Sequence, residues 1–189
     1  MGRRCSELCF EKQKRKDLRV MRKKSVALAL LLCLLTTVAW GQNERFKALF
    51  LYNFTRYLEW PADGQEGDFV ILVIGKNAKI TGELQQIAQK KKVGNRTMVV
   101  RESGDANGVS RCNIVYVPST ENSLLPSVVA GASGNHVAVV SDKAGGIAQG
   151  AAFNFTENGG KTQFEVSPST LEKQGIKVSN SLLSLGVVK

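Results

Sequence analysis

The sequence predicts a single α/β domain with a mostly parallel central sheet flanked by helices, a C-terminal β-hairpin and short terminal helices. Three observations predict it. Apolar β-branched runs alternate with segments of helical periodicity, the final third alternates aromatic and polar residues around a Gly-Gly turn, and the chain is short enough for one domain. A domain of this size can bury roughly two thirds of the surface of its unfolded chain.

The first 41 residues predict a secretory signal peptide and not a part of the domain. From Met21 the chain has three basic residues, an apolar run over residues 26–35 and then small residues, in the order typical of such signals. Ala39 and Gly41 fit the −3 and −1 positions of a cleavage site, so the mature chain is expected to begin at Gln42. The apolar run is shorter than the roughly 20 residues of a membrane span. We therefore expect a released periplasmic domain over residues 42–189, with Met21 as the true start.

The export signal carries most of the positive charge. The chain has a net charge of +10, but residues 1–41 hold 10 of the 26 Lys and Arg residues and only 3 of the 16 Asp and Glu residues. The domain itself is left with a net charge of +3. A nucleic-acid-binding domain needs a strongly basic face, so no nucleic-acid partner is expected.

The domain is predicted to open with an aromatic helix in the segment RFKALFLYNFTRYLEWP. Apolar and aromatic residues recur there at spacings of three and four, which places them on one buried helical face. Pro61 prevents continuation and favours an extended backbone at Trp60, so the helix should end at about Glu59. The predicted buried face consists of Phe46, Leu49, Phe50, Asn53, Phe54, Tyr57 and Leu58.

Four strands and two further helices are predicted next. Continuous β-branched runs are typical of strands that are covered on both faces. The predicted strands are residues 69–75, 96–102, 113–118 and 136–142, and the predicted helices are residues 78–92 and a shorter segment that Gly131 to Gly134 terminates.

The last third predicts a hairpin and two short helices. Phe153 and Phe155 alternate with polar residues, as Phe164 and Val166 do after a turn at residues 158–160. Two short helical segments follow. Their candidate N-caps are Ser167 or Ser169 for the first and Ser179 or Asn180 for the second.

The mature chain keeps a single cysteine and a single histidine. Three cysteines lie in the predicted signal segment, so Cys112 remains alone and cannot form an internal disulfide. Because it begins an apolar run, a buried apolar role is favoured over a reactive thiol. His136 has no carboxylate or cysteine partner near it in the sequence, so a structural role is favoured over catalysis or metal binding.

No motif indicates a catalytic residue, a metal site or a cofactor. The GGKT segment at residues 159–162 resembles the end of a phosphate-binding loop, but position 155, where the pattern requires Gly, is Phe155. GGIAQG at residues 145–150 lacks the dinucleotide-binding spacing, and no nucleophile-elbow motif is present. We therefore expect a binding or regulatory protein and not an enzyme, with a hydrolase assembled from scattered Ser, His and Asp residues as the weaker alternative.

Four segments together resemble the YfiR-like periplasmic proteins, over about residues 44–185. None of the segments is a catalytic signature, but their order and spacing are specific in combination. They are KALFLYNFTRYLEWP at Lys47 to Pro61, Gly145 and Gly146 with Phe153 to Phe155, GGKTQFEV at Gly159 to Val166, and GIKVSNSLLSL at Gly175 to Leu185.

The resemblance implies a non-enzymatic periplasmic regulator without a cofactor. Such a regulator binds and represses the periplasmic sensor domain of an inner-membrane diguanylate cyclase, which couples envelope conditions to cyclic di-GMP and biofilm. The resemblance also implies a homodimer and an outer-membrane lipoprotein that sequesters the regulator. Some relatives are associated with membrane sensor kinases, so the partner type stays open. Family members can carry stabilising disulfides, and the lone Cys112 departs from that pattern.

Partner-binding residues are expected off the buried stripe of the first helix. Tyr52 and Arg56 lie there, and Trp60 stands at the end of the helix. Tyr, Trp and Arg are the residue types that dominate the energetics of protein interfaces. We therefore predict partner contacts at Tyr52, Arg56 and Trp60.

The alternative from another class is a small-molecule binding module that feeds a membrane sensor kinase or receptor. In open α/β sheets, ligands bind in the crevice at the carboxyl ends of parallel strands. The loops after LVIG and VVSD would line such a crevice, near Lys76, Asn77, Asp142 and Lys143.

Overall fold

A computed structural model describes residues 38–62, 67–76 and 78–189. Most of the predicted signal peptide, residues 1–37, lies outside the described residues, as does Asn77. Residues 43–189 form one compact unit.

The described residues form five α-helices and ten β-strands. The helices are α1 Val38–Tyr57, α2 Lys79–Ala88, α3 Leu125–Ala132, α4 Pro168–Lys173 and α5 Asn180–Leu183. The strands are β1 Leu58–Glu59, β2 Phe69–Ile74, β3 Lys92–Val93, β4 Arg96–Ser103, β5 Ile114–Val117, β6 Ala138–Ser141, β7 Phe153–Asn158, β8 Lys161–Val166, β9 Lys177–Val178 and β10 Val187–Val188.

Eight strands form one sheet in the order β10-β8-β7-β6-β5-β2-β4-β3. The central pairs β4-β2, β2-β5, β5-β6 and β6-β7 are parallel, whereas β7 and β8 form an antiparallel hairpin. Strand β10 adds to the hairpin in parallel with β8, and β1 pairs with β9 in a separate two-stranded sheet. The predicted α/β class, with its mostly parallel sheet and C-terminal hairpin, is confirmed.

Strand β2 lies in the middle of the protein, and all six of its residues are buried. Because alternate side chains of a strand point to opposite faces, β2 contributes to two cores. In one core, the helices α1, α2, α4 and α5 pack against one face of the sheet. In the other core, α3 packs against the opposite face. This two-sided burial explains why the β2 sequence is apolar without interruption.

Helix α1 is rotated relative to the sequence-based expectation. The prediction of burial is wrong for Phe46 and Leu49, which are 54% and 41% exposed. The helix has apolar residues on most of its circumference, so two overlapping stripes fit a helical period and only packing against the sheet selects between them. The residues of α1 and β1 that form its buried apolar face are Ala48, Leu51, Phe54 and Leu58.

The end of α1 comes two residues before the predicted Glu59. Leu58 and Glu59 leave the helix to pair with Val178 and Lys177 of β9. A two-residue strand has no sequence signal of its own, because the pairing depends on a segment more than 100 residues away.

The β7–β8 hairpin and its turn form where the sequence predicts them. Phe155 lies opposite Phe164, and Asn158 lies opposite Lys161. Gly159 and Gly160 between them have φ values of 57° and 75°, the left-handed pair that a two-residue hairpin turn requires. The predicted caps are also confirmed: the Ser167 side chain accepts a hydrogen bond at the start of α4, and that of Ser179 does so at α5.

Gly146 packs directly against buried polar side chains. A Cβ atom at this position would lie 1.8 Å from Ser141 Oγ and 2.7 Å from Asn154 Oδ1. Ser141 donates a hydrogen bond to Asn154 Oδ1 at 2.7 Å, and both residues are fully buried. The site therefore admits only glycine, for steric reasons and not for backbone conformation, since φ is −57°.

We expect Gly146→Ala to lower the free energy of unfolding by about 1–3 kcal/mol, because a methyl group there overpacks the Ser141–Asn154 pair. Gly82→Ala is the matched control. Gly82 is exposed inside α2 with nothing within 4 Å of its added Cβ, so the change should stabilise by about 0.5–1 kcal/mol. Urea unfolding measures both; equal effects of the two variants would contradict this packing.

Cys112 is buried, 7% exposed, and its Sγ donates to the Val109 carbonyl at 3.1 Å. Burial raises the pKa of this thiol to about 12, although a backbone hydrogen bond from Leu72 opposes the shift. The side chain belongs to the core between the sheet and α3, as the sequence predicts.

Cys112 should therefore resist thiol reagents in the folded protein. At pH 8 a thiol with this pKa is about 0.01% thiolate, so labelling by a disulfide reagent should be roughly a thousandfold slower than in denaturant. The rate should rise as the pH approaches 12. Rapid labelling of the native protein at pH 8 would contradict the buried placement.

Candidate functional site

A cleft of about 450 Å³ opens at the carboxyl edge of the parallel strands. Asp142 directly follows β6, and Ser119 follows β5 after a single proline. The hairpin extends past the end of β6 and supplies the opposite wall through Phe155, Thr156, Glu157 and Thr162. Lys47 of α1 and Ala144 complete the lining.

A buried charge network closes one side of the cleft. Lys47 Nζ lies 2.8 Å from Asp142 Oδ2 and 3.2 Å from Glu44 Oε1. Tyr116 Oη donates to the same Asp142 Oδ2 at 2.5 Å. The side chains of Lys47 and Asp142 are only 11% and 5% exposed. Two donors therefore share one carboxylate oxygen in a largely dry environment.

Both donors of this network are protonated at neutral pH. Burial alone would lower the pKa of Lys47, but the hydrogen bond and charge of Asp142, with those of Glu44, outweigh it and raise the pKa. Burial and the nearby Asp142 carboxylate also raise the pKa of Tyr116. Lys47 is thus a permanent cation in the site, and Tyr116 is a permanent hydrogen-bond donor.

The second oxygen of the Asp142 carboxylate, Oδ1, lacks the hydrogen bonds that Oδ2 accepts. Asp142 Oδ1 is buried and has no hydrogen-bond partner within the described part of the chain. Asn43 hydrogen-bonds both Thr162 Oγ1 and Glu157 Oε1, which joins α1 to two hairpin residues that line the cleft.

The structure brings one of the predicted crevice residues, Asp142, into this cleft. Lys76 follows β2 and packs near Gly104, while Lys143 is exposed. Strand β5 lies between β2 and β6, so the loops after β2 and β6 are not neighbours. Asn77 lies outside the described residues.

Sequence reasoning missed Lys47, Ser119 and the hairpin residues of the cleft. They come from three elements that are distant in the sequence, and no local motif joins them. A buried lysine on the otherwise apolar inner face of α1 was the one available signal, because such a charge needs a partner.

Of the predicted partner-binding residues, Arg56 lies on the side of α1 that faces away from the sheet, and Tyr52 lies beside it with part of its side chain packed against the core. Arg56 is exposed and Tyr52 is half-buried, with Arg45 and Leu49 on the same helical side and Phe46 bordering it. We call Arg45, Phe46, Leu49, Tyr52 and Arg56 the α1 outer face. It combines two cations with two exposed apolar side chains.

Trp60, the third predicted partner-binding residue, lies in the core. It is 6% exposed, and its ring packs edge-to-face on Phe69 at 5.0 Å. Its Nε1 donates to the His136 carbonyl at 2.9 Å. The placement differs from the expected interface position because the chain turns inward after β1. A role for Trp60 in partner binding stays a prediction.

His136 has a structural environment. Its Nδ1 lies 2.7 Å from the Gln174 carbonyl, and its backbone has a φ of 55°. Across the residues that the structure describes, no three His, Cys, Asp or Glu side chains are placed to hold a metal ion. No described helix combines the length and apolar character that a membrane span requires.

Comparison with solved structures gives partial likenesses. A conserved domain protein from Vibrio cholerae O1 biovar eltor is 12% identical with a TM-score of 0.48, and an ABC domain in complex with L-Trp from Streptococcus pneumoniae is 10% identical with a TM-score of 0.49. Each alignment covers 65% of this chain and 55% of the matched chain. A search of curated proteins returned no match.

The family comparison confirms the resemblance seen in the sequence. The match extends from the first turns of α1 to the last strand, and so includes both the cleft and the α1 outer face. Residues 44–187 match the sequence model of the YfiR/HmsC-like family, and the chain therefore belongs to this family of periplasmic regulators in cyclic di-GMP signalling, which is regulatory and not catalytic.

Proposed function

We propose that this protein binds and represses the periplasmic sensor part of an inner-membrane diguanylate cyclase, through the α1 outer face. Membership of a regulatory family supports a protein partner. The observation that carries the proposal is the exposure of Phe46 and Leu49 on a helix whose other face is fully packed. A group of large apolar side chains on a surface is typical of an interaction site, whereas single exposed apolar residues are common on any protein.

The chemistry of the α1 outer face indicates the kind of partner surface it fits. Arg45, Leu49, Tyr52 and Arg56 follow one another at helical spacing, so they form a continuous stripe. Tyr and Arg around an apolar centre are typical of interface hot spots. The stripe has no acidic residue, so the complementary surface should be apolar with an acidic rim.

The proposal includes two further associations that the family resemblance implies. One is a homodimer and the other is an outer-membrane lipoprotein that sequesters the regulator. Strand β10 is an edge of the sheet, and its Val187 and Val188 are 47% and 53% exposed. This edge offers such partners a surface other than α1.

A crosslinked pull-down of the tagged protein from intact cells tests the partner directly. We expect mass spectrometry to identify an inner-membrane protein with a periplasmic sensor domain and a diguanylate cyclase output. Recovery of a sensor kinase instead would replace the cyclase in the proposal. Recovery of no membrane protein, while a control pair crosslinks, would contradict it.

Substitutions on the α1 outer face should separate binding from stability. We expect Leu49→Ala or Arg56→Ala to weaken partner binding by roughly 30-fold, the effect of losing about 2 kcal/mol at a central interface position. Tyr52→Ala should act in the same direction. Partner recovery in the pull-down measures the effect, and circular dichroism should show melting of Leu49→Ala and Arg56→Ala close to that of the wild type.

Two matched variants control this prediction. Gln86→Ala changes an exposed residue of α2 and should alter neither binding nor melting. Trp60→Ala should lower the free energy of unfolding by about 3–5 kcal/mol, because it empties a packed core position. Wild-type recovery of the partner by Leu49→Ala and Arg56→Ala together would remove the α1 outer face from the proposal.

A further inference from the structure

The Asp142 carboxylate is satisfied on one side only. Lys47 and Tyr116 both bind Oδ2, whereas Oδ1 is buried without a partner in the described residues. Buried polar atoms in folded proteins nearly always have a hydrogen-bond partner, and an unpaired charged oxygen is costly. Asp142 lines the cleft, but its Oδ1 has almost no exposed surface, so a donor from the cleft reaches this oxygen only when neighbouring side chains move aside.

The charge of the site favours a cation as that donor. The network contains the carboxylates of Glu44 and Asp142 against the single ammonium of Lys47. Glu157 adds a third carboxylate at the rim, where it binds Asn43 and no cation among the described contacts. An anionic ligand would meet this net negative charge, while Lys47 is already engaged by two carboxylates.

The remaining walls suit a small organic body. Phe155 and Ala144 offer apolar contact, and the hydroxyls of Ser119, Thr156 and Thr162 offer acceptors at the rim. The volume of about 450 Å³ lies in the range of small-molecule sites. No three described His, Cys, Asp or Glu side chains are placed to hold a metal ion, and the apolar contacts of Phe155 and Ala144 suit the body of an organic cation.

We propose that this cleft binds a small molecule with a primary ammonium group, which donates to Asp142 Oδ1 while its alkyl or aryl body packs on Phe155 and Ala144. An ammonium has three donors, which leaves two for the hydroxyls that line the cleft. The site is separate from the α1 outer face, since Lys47 and Leu49 lie on opposite sides of the helix. It goes beyond the proposed repression of a membrane enzyme.

Three probes of equal length test the head group. Pentylamine, 1-pentanol and pentanoate are titrated into the exported protein, with isotope-edited NMR as the readout. We expect pentylamine to shift the amide signals of Ser119, Asp142 and Thr156, and to bind roughly tenfold or more tightly than either of the others. Equal binding of all three, or binding of none because water satisfies Oδ1, would overturn the proposal.

A pair of tryptophan variants tests whether pentylamine binds in the cleft. Ala144 is exposed and lines the cleft, so Ala144→Trp should fill it and abolish the pentylamine shifts. Ala148 is also exposed but is not among the lining residues, so Ala148→Trp should bind pentylamine like the wild type. Unchanged binding in Ala144→Trp would overturn the assignment.

Asp142→Asn tests whether the Asp142 carboxylate binds the ammonium group. This variant should lose the preference for pentylamine over 1-pentanol. Because Lys47 then loses a charge partner, this variant is interpreted only together with Ala144→Trp, which leaves the network intact. Partner recovery by pull-down is measured on the same variants. Loss of pentylamine binding with normal partner recovery separates this proposal from the repression of the membrane enzyme, and each can fail alone.

Discussion

The contact on which both surfaces of α1 depend is the stacking of Phe54 on Phe153. The ring centroids lie 4.2 Å apart with an interplanar angle of 15°, and Phe164 packs edge-on against Phe54 at 5.2 Å. These contacts fix the rotation of the helix against the hairpin. Lys47, two turns earlier, then faces the carboxyl edge of the sheet. Leu49 and Arg56 face away from it.

That single rotation explains the charge network as well. A lysine on the inner face of a packed helix is costly unless a carboxylate meets it. Asp142, directly after β6, lies within hydrogen-bond distance of Lys47, and Tyr116 of the neighbouring strand donates to the same oxygen, Oδ2. The arrangement satisfies the lysine but leaves Asp142 Oδ1 without a donor among the residues that the structure describes. The cleft thus depends on the rotation of α1 that the contacts of Phe54 with Phe153 and Phe164 fix.

The sequence predicts those parts of the fold whose signals are local. β2 is a continuous apolar run, and the hairpin combines alternation with a Gly-Gly turn, so both are recognised without tertiary information. The rotation of α1 was not predictable, because Phe46 and Leu49 fit a helical stripe as well as Ala48 and Leu51 do. Trp60 and the cleft depend on strand order and on contacts between distant segments. Hence the family and the fold class are read from sequence, whereas the site needs the structure.

The central claim is that α1 packs inward through Phe54 and meets a partner through its outer face. Site-specific photocrosslinking in intact cells tests it most directly, with a benzophenone amino acid at position 49 and, as the control, at position 86 of α2. The account predicts a crosslink from position 49 to the inner-membrane signalling enzyme and none from position 86. A crosslink from position 86 alone would contradict it.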